Sequence, residues 1–285
     1  ESRQAGVAMR ENRRAGVAMS EAWFDKGLAV IAAQQFGYLD VVAALAMLAI
    51  AVVLSCRERL GLEKDLLVAS LRAFVQLMAI GYVIDLIFGA ERFIWVLLMV
   101  VAMAAFATFT STRRARALPG SWWIMAAAIG LSAALTLGLM LGLGIIDSRA
   151  RYVIPIAGMI IGNTMTVASV TVVRLLEDAR DQRPRIEAAL ALGATPRQAA
   201  DDLIRGSVRL AMVPVIDSTK TMGIVFLPGA MTGMILAGAD PLEAVKLQVV
   251  IMYMLAAATA VSATTAALLT PRRLFTPQQQ LRRLG

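Results

Sequence analysis

The sequence has no histidine, a single cysteine and few charged residues. Of its 285 residues, 17% are charged and 6% are aromatic. Because histidine is the commonest metal ligand and proton-transfer group, its absence excludes hydrolase mechanisms that depend on it. Cys56 alone cannot form an internal disulfide. The chain also lacks the GxxxxGKS/T phosphate loop, so it does not bind ATP through that motif.

What the sequence has in abundance is apolar side chains. Hydrophobic residues make up 59% of the chain and the mean hydropathy is +0.70. This composition predicts an all-α polytopic membrane protein rather than a soluble domain. The formal net charge is +8, but the basic residues lie in short loops and termini. We interpret them as topology signals and expect no nucleic-acid partner.

Seven apolar runs predict about seven transmembrane helices within a domain at residues 38–269. The predicted crossings are 38–55, 66–88, 93–110, 122–146, 152–176, 208–237 and 245–269. The sixth is predicted to be interrupted at Pro214 and again at Pro228-Gly229. Residues 1–37 are predicted to be a disordered or interfacial extension. A repeated AGVAM segment leaves open whether residues 1–20 belong to the native protein, and residues 270–285 form the predicted tail.

Arginines mark one side of the predicted bundle. They follow crossings one and three and recur in the tail, at Arg57, Arg113 and Arg272 for example. The positive-inside rule therefore places these loops and the C-terminus in the cytoplasm and the N-terminus outside, in an inner membrane. Arg149 and Arg151 fall on the outer side and oppose this orientation.

A polar insert, residues 178–207, separates crossings five and six. Pro184 suits the first turn of a short helix, and Gly193 suits a turn that ends it. Thr195 and Gln198 have the spacing of a capping box around Pro196, which predicts a second helix start. The sequence thus predicts two helices joined by a glycine turn on the cytoplasmic side, with small alanines that let a partner surface approach closely.

Polar and sulfur-bearing residues inside crossings two, five and six predict a polar path, because buried polar groups are costly in lipid. The candidates are Arg72, Gln76, Met159, Asn163, Thr164, Met165, Asp217, Lys220 and Met222. Structural alternatives stay open: snorkelling for Arg72, an ion pair for Asp217 with Lys220, and an interhelical hydrogen bond for Asn163. The methionines fit core packing better than soft-metal ligation, and no metal site is assigned.

The insert resembles the coupling loop of ABC-transporter membrane subunits, which docks on the ATPase subunit. Glu187, Ala188, Ala189 and Gly193 match its EAA segment and following glycine, whereas the later Ile-x-Leu-Pro is absent and the chain reads LIRG. By this resemblance, those four residues together with Thr195 and Arg197 are the predicted ATPase-coupling residues.

Three longer segments are more specific. RAFVQL, GMIIGNTM and FLPGAMTGMILAGADPLEAVKLQVVIMYM resemble the permease family of the bacterial iron-export membrane subunit and the plant aluminium-tolerance membrane proteins. The resemblance implies a non-enzymatic permease that binds no cofactor and pairs as a homodimer with a separate ATPase subunit holding ATP and Mg²⁺.

The cargo implied by the resemblance is iron or another metal exported from the cytoplasm, with a link to oxidative-stress resistance. Two alternatives stay open. One is an ABC exporter of an organic cargo such as a nucleotide sugar. The other is an ATP-independent secondary transporter or channel that uses Asp217 and Lys220.

Overall fold

A computed structural model describes residues 38–89, 93–276 and 278–282, and this part of the chain is helical without a named strand. The predicted all-α class is therefore confirmed, while the extension at 1–37 lies outside the described residues. The helices are α1 Tyr38–Arg57, α2 Glu63–Gly89, α3 Phe93–Arg114, α4 Ser121–Gly142, α5 Ala150–Asp181, α6 Arg183–Ala191, α7 Pro196–Ala199, α8 Asp201–Thr221, α9 Gly229–Leu236, α10 Pro241–Leu269 and α11 Pro271–Leu274.

Among the described residues, four helical segments are long and apolar enough to cross a membrane. They are α3, α4, α5 and the run Pro241–Leu274 that joins α10 to α11. Their mean hydropathies lie between 1.7 and 2.3, and α1 adds a shorter apolar segment, Leu45–Arg57. The chain is thus a multi-pass membrane protein, and the count of seven crossings stays a prediction.

The predicted interruption of crossing six at Pro214 is wrong. The helix α8 continues through Pro214 and ends at Thr221, and α9 begins at Gly229. Pro214 is exposed, so its ring does not disturb packed neighbours. The helix then loses a single backbone hydrogen bond, which membrane helices commonly tolerate. The predicted interruption at Pro228-Gly229 is confirmed, because the discontinuity lies at residues 222–227, directly before Pro228. We name these residues the α8–α9 break.

The chain divides into two compact units. Unit 1 contains, among the described residues, 38–82 and 228–247. Its α1–α2 turn is fixed by Ser55, whose Oγ donates to Glu63 Oε2 at 2.9 Å and accepts from the Leu62 backbone N–H at 3.0 Å. A backbone hydrogen bond and the Ser55 hydroxyl lower the pKa of the Glu63 carboxyl from its ordinary value.

Unit 2 contains the described residues from 83 to 227 and from 248 to 282. Its central helix is α5, which contacts α3, α4 and α8. Val167 of α5 packs with Ala211 of α8 and Ala263 of α10. Two serine hydroxyls also form hydrogen bonds between helices. Ser132 Oγ of α4 donates to the Ala258 carbonyl of α10 at 2.6 Å, and Ser262 Oγ of α10 donates to the Thr164 carbonyl of α5 at 3.1 Å.

Candidate functional site

The insert is carried away from the bundle by the end of α5. At 32 residues, α5 is about 48 Å long, whereas the hydrocarbon core of a bilayer is about 30 Å thick. Its last turns are charged: Arg174 pairs with Asp178 at 3.0 Å and with Glu177 at 3.8 Å. These ion pairs belong in water or at the interface, so α5 extends beyond the apolar layer and presents the insert there.

The backbone of the insert has the predicted form. The helix α6 begins at Arg183 with Pro184 in its first turn, and Gly193 adopts φ +90° in the turn that follows. Thr195 caps α7: its Oγ1 accepts from the Gln198 backbone N–H at 3.3 Å, and the Gln198 side chain accepts from the Thr195 N–H at 2.9 Å. The predicted capping box and glycine turn are confirmed.

Ion pairs then hold the pieces of the insert together. Arg185 of α6 reaches Asp202 of α8 at 2.7 Å, across 17 residues of sequence. Within α6, Arg183 pairs with Glu187 at 2.8 Å. Beneath them, Ile186 is buried with 2% exposure. The predicted coupling residue Glu187 therefore lies in a fixed local geometry at the surface of α6.

The outer surface of the insert carries an apolar side chain at its tip. Leu192 is 90% exposed, immediately before the Gly193 turn. Ala188 is exposed as well, and Ala189 is half-buried. Thr195 and Arg197 are exposed on the α7 side. Leu192 was missed from the sequence, although a leucine at the end of a short polar helix is the signal that could have identified it.

The C-terminal tail forms one wall of a groove beside the insert. This groove of about 1060 Å³ is lined by Arg183, Glu187 and Leu190 of α6, by residues 117 and 119 of the α3–α4 loop, and by residues of the tail. The tail is held there because Leu281 is 7% exposed and the Arg282 N–H donates to the Leu274 carbonyl at 3.0 Å. This contact of the tail is not predictable from the sequence pattern.

Candidate path residues on α8 lie at its end opposite the insert. Asp217 and Lys220 pair at 3.7 Å with side chains 63% and 70% exposed, which agrees with the predicted proximity. Since α8 has 21 residues, this end lies about 30 Å from the insert along the helix axis. Met222 follows directly, at the start of the α8–α9 break.

Candidate path residues on α5 are divided between an exposed face and a packed one. Asn163 is exposed, with its Nδ2 donating to the Met159 carbonyl at 2.8 Å. Thr164 is fully buried, and its hydroxyl donates to the Ile160 carbonyl at 2.8 Å. Met159 and Met165 are half-buried. Thr164 thus contributes to the contact with α10, whereas Asn163 is accessible.

A buried glutamine near Met222 was not identified from the sequence. Gln248 of α10 is 7% exposed, and its Nε2 donates to the Met222 sulfur at 3.6 Å. Its Oε1 is the buried side-chain oxygen that has no hydrogen-bond partner among the described residues. Such an acceptor is costly unless water or a ligand satisfies it. A glutamine early in an apolar helix was the available signal.

The remaining candidates lie in unit 1. Arg72 and Gln76 are on α2 and both are exposed. Their grouping with α5 and α8 in a common path stays a prediction. Across the described residues, no group of three or more histidine, cysteine, aspartate or glutamate side chains is arranged to hold a metal ion.

Comparison with known proteins gives a consistent match over most of the chain. The family model described as "Uncharacterised protein family (UPF0014)" matches residues 38–275. Over 245 residues the chain is 46% identical to the UPF0014 membrane protein STAR2 of Oryza sativa subsp. japonica, covering 86% of each.

Two further relatives carry functional names. The Protein ALUMINUM SENSITIVE 3 of Arabidopsis thaliana is 41% identical over 245 residues, which is 86% of this chain and 90% of that protein. The Probable iron export permease protein FetB of Escherichia coli (strain K12) is 37% identical over 238 residues, 84% of this chain and 92% of that protein. No solved structure matches.

Proposed function

Because this chain belongs to the UPF0014 family of membrane proteins, we propose that it is the membrane subunit of an ATP-driven exporter. It would work with a separate ATPase subunit and move iron or another metal out of the cytoplasm. The name of the Escherichia coli relative, a probable iron export permease, supports the cargo class. The observation that carries the proposal is the rigid insert with its exposed apolar tip.

The insert has the properties that a coupling element needs. A segment that transmits closure of an ATPase must keep its shape under load. The capping box and the buried Ile186 support that shape, and the exposed Arg185–Asp202 pair at 2.7 Å adds a small contribution. It must also present surface to a partner, and Leu192 is 90% exposed. A large apolar side chain exposed at a tip is suited to bury itself in a partner's cleft.

One continuous helix connects the insert to the far end of the bundle. The helix α8 begins inside the insert at Asp201 and continues as one helix to Thr221. A displacement of its first turns therefore moves Asp217, Lys220 and the α8–α9 break together. Broken helices at such sites are where transporters line cavities with irregular backbone.

Homodimer formation is part of the proposal. The accessible face of α5 carries Asn163 and Thr166, both exposed, beside Gly162. A Cβ added at Gly162 would meet no described atom within 4 Å. Small residues of this kind let membrane helices approach closely. A second copy placed there would enclose Asn163 between the two protomers.

An ATP-independent transporter is the second candidate, and the Asp217–Lys220 pair at 3.7 Å favours it. An exposed carboxylate and ammonium on a membrane helix could exchange a proton during transport. Transport that persists without ATP would select this candidate and reject the coupling role of the insert.

The test is transport by vesicles that contain the purified chain and its ATPase partner. Labelled ferrous iron and a labelled nucleotide sugar are supplied in parallel, with and without ATP. We expect ATP-dependent movement of iron away from the nucleotide side. ATP-dependent movement of the sugar alone would show that the cargo is organic and would leave the ATP-driven mechanism in place.

A matched pair of leucine variants then tests the tip. Leu192→Asp should abolish ATP-dependent transport, because it places a charge where an apolar contact is required. Leu60→Asp is the control, since Leu60 is 59% exposed in another predicted cytoplasmic loop. Equal transport by the two variants would remove the insert from the mechanism.

A further inference from the structure

A second cavity, of about 730 Å³, is lined by α7 of the insert, the end of α10, α11 and the tail. We name it the basic pocket. Four arginines line it: Arg197 of α7, Arg272 and Arg273 of α11, and Arg282 of the tail. Three threonines also line it, and none of its lining residues is acidic.

The positive charge of the basic pocket is uncompensated. In the part of the chain that the structure describes, none of the four arginines has a carboxylate oxygen within 4.0 Å. Two arginines of the insert differ, since Arg185 pairs with Asp202 and Arg205 with Asp201. Four unpaired guanidinium groups around one cavity favour an anion there.

The arginines are held by ordered backbone and not by a free chain end. Arg272 and Arg273 are on α11, whose Pro271 and Leu274 are buried. The guanidinium of Arg273 lies against Gly120, where a Cβ would come within 3.4 Å of its Cζ. Arg282 is fixed by its N–H bond to the Leu274 carbonyl at 3.0 Å. The backbone that carries Arg272, Arg273 and Arg282 is therefore ordered, which reduces the entropic cost of binding.

We propose that the basic pocket binds a phosphate group. Guanidinium groups bind phosphate oxygens through paired, charge-assisted hydrogen bonds, and threonine hydroxyls add further donors. Two sources share this chemistry, the headgroup of an anionic phospholipid and a soluble phosphate compound. The walls favour the lipid, because Leu268 and Leu269 of the last turn of the α10 span line the pocket beside the arginines. Basic pockets at the cytoplasmic ends of membrane helices commonly hold such headgroups.

The proposal does not depend on the cargo, and the basic pocket shares Thr195 and Arg197 with the predicted ATPase-coupling residues. A lipid headgroup here would bridge α7 of the insert, α11 and the tail, because Arg197, Arg272 and Arg282 come from these three elements. Its binding would stabilise the contact between the insert and the bundle. We therefore expect the thermal unfolding midpoint to rise when the pocket is filled.

The experiment compares the full chain in nanodiscs of phosphatidylcholine alone and of phosphatidylcholine mixed with phosphatidylglycerol. Native mass spectrometry measures the lipid that is retained, and thermal unfolding measures stability. In a separate arm, inorganic phosphate is added to the detergent-solubilised protein. The test variant is R272Q/R282Q. The control is R185Q/R205Q, which removes the same charge from paired arginines outside the pocket.

We expect the wild type and the control to retain phosphatidylglycerol and to be stabilised by it. The test variant should bind it about fivefold more weakly for each arginine removed, the factor that corresponds to one basic residue at a membrane surface. Stabilisation by inorganic phosphate that the test variant alone loses would identify a soluble ligand and support the phosphate site. Equal binding by all three proteins, or equal loss in both variants, would overturn it.

Discussion

The two ends of α8 differ in what stabilises them. At its first turns, side chains from separate elements meet, as in the Arg185–Asp202 pair at 2.7 Å. After its last turn, the α8–α9 break has local backbone bonds, such as Gly223 N–H to the Phe226 carbonyl at 3.0 Å. It also accepts a long hydrogen bond from Gln248 Nε2 at the Met222 sulfur, at 3.6 Å. Ile224 there is 89% exposed, and beside Met222 the Gln248 Oε1 has no partner among the described residues.

This difference separates two tasks that a transporter must perform. The insert end is tied by cross-element contacts, so it can pass a displacement along α8 without deforming. The far end contains an irregular segment and an unsatisfied polar group. A ligand can therefore bind there while few contacts within the protein are broken. If the proposal is right, damage at one end should affect partner binding, and damage at the other should affect cargo handling.

The largest expected effect comes from the turn of the insert. Gly193→Pro cannot keep φ +90°, because proline fixes φ near −65°. It also removes the N–H that donates to the Leu190 carbonyl at 3.0 Å. We expect copurification of the ATPase subunit to fall by about tenfold or more, or ~1.4 kcal/mol of binding, with membrane insertion unchanged.

Gly144→Pro is the control for that variant. Gly144 has φ +66° and donates to the Leu141 carbonyl at 3.1 Å, so the local damage is comparable but occurs in the α4–α5 loop. Loss of the ATPase subunit from both variants would mean that general misfolding, and not the insert, explains the result.

An intermediate effect is expected at the other end of α8. Gln248→Leu removes the unpartnered Oε1, so the free energy of unfolding should rise by about 1 kcal/mol. ATP-driven transport should nevertheless fall, because an unsatisfied acceptor beside the α8–α9 break is suited to contact a ligand and leucine lacks it. Thermal unfolding and vesicle transport on the same preparation measure the two changes. A more stable variant with unchanged transport would show that Gln248 does not contact the cargo.

The smallest effect is expected from the exposed ion pair. Arg185→Ala removes the bond to Asp202, but both side chains are more than two-thirds exposed, at 69% and 72%. Screening by water limits the loss to about 0.2–1 kcal/mol. A double-mutant cycle with Asp202→Ala, read by thermal unfolding, measures the coupling. A coupling energy well above that range would mean that the pair is central to the rigidity of the insert.

Much of the helical layout was predictable from the sequence. The ends of α1, α2 and α3 lie within a few residues of the predicted crossings, because long apolar runs bounded by charges leave few alternatives. The continuity of α8 through Pro214 was not predicted. The free-energy cost of a proline inside a helix depends on whether neighbouring groups compensate for the missing backbone hydrogen bond. Packing of the helices decides this.

The candidate site was predicted where it is local and missed where it is long-range. The capping box of Thr195 with Gln198 involves neighbours in sequence, so its spacing identified it. Gln248 and Met222 are separated by 26 residues, and neither shows in sequence that the other is near. Thr164 was identified as polar, but its burial against α10 depends on which face of α5 packs.

What the sequence determined by itself is the class of the protein and the form of its insert. These features depend on residues close together in the chain, so they can be identified without the tertiary structure: the lengths of apolar runs, the positions of charges, the helix caps and the Gly193 turn. The tertiary structure alone decided which groups meet: the tail against the insert, Gln248 beside Met222, and four arginines from residues 197 to 282 around one cavity. The physical reason is that burial and charge density depend on contacts between distant segments, and only packing of the helices creates them.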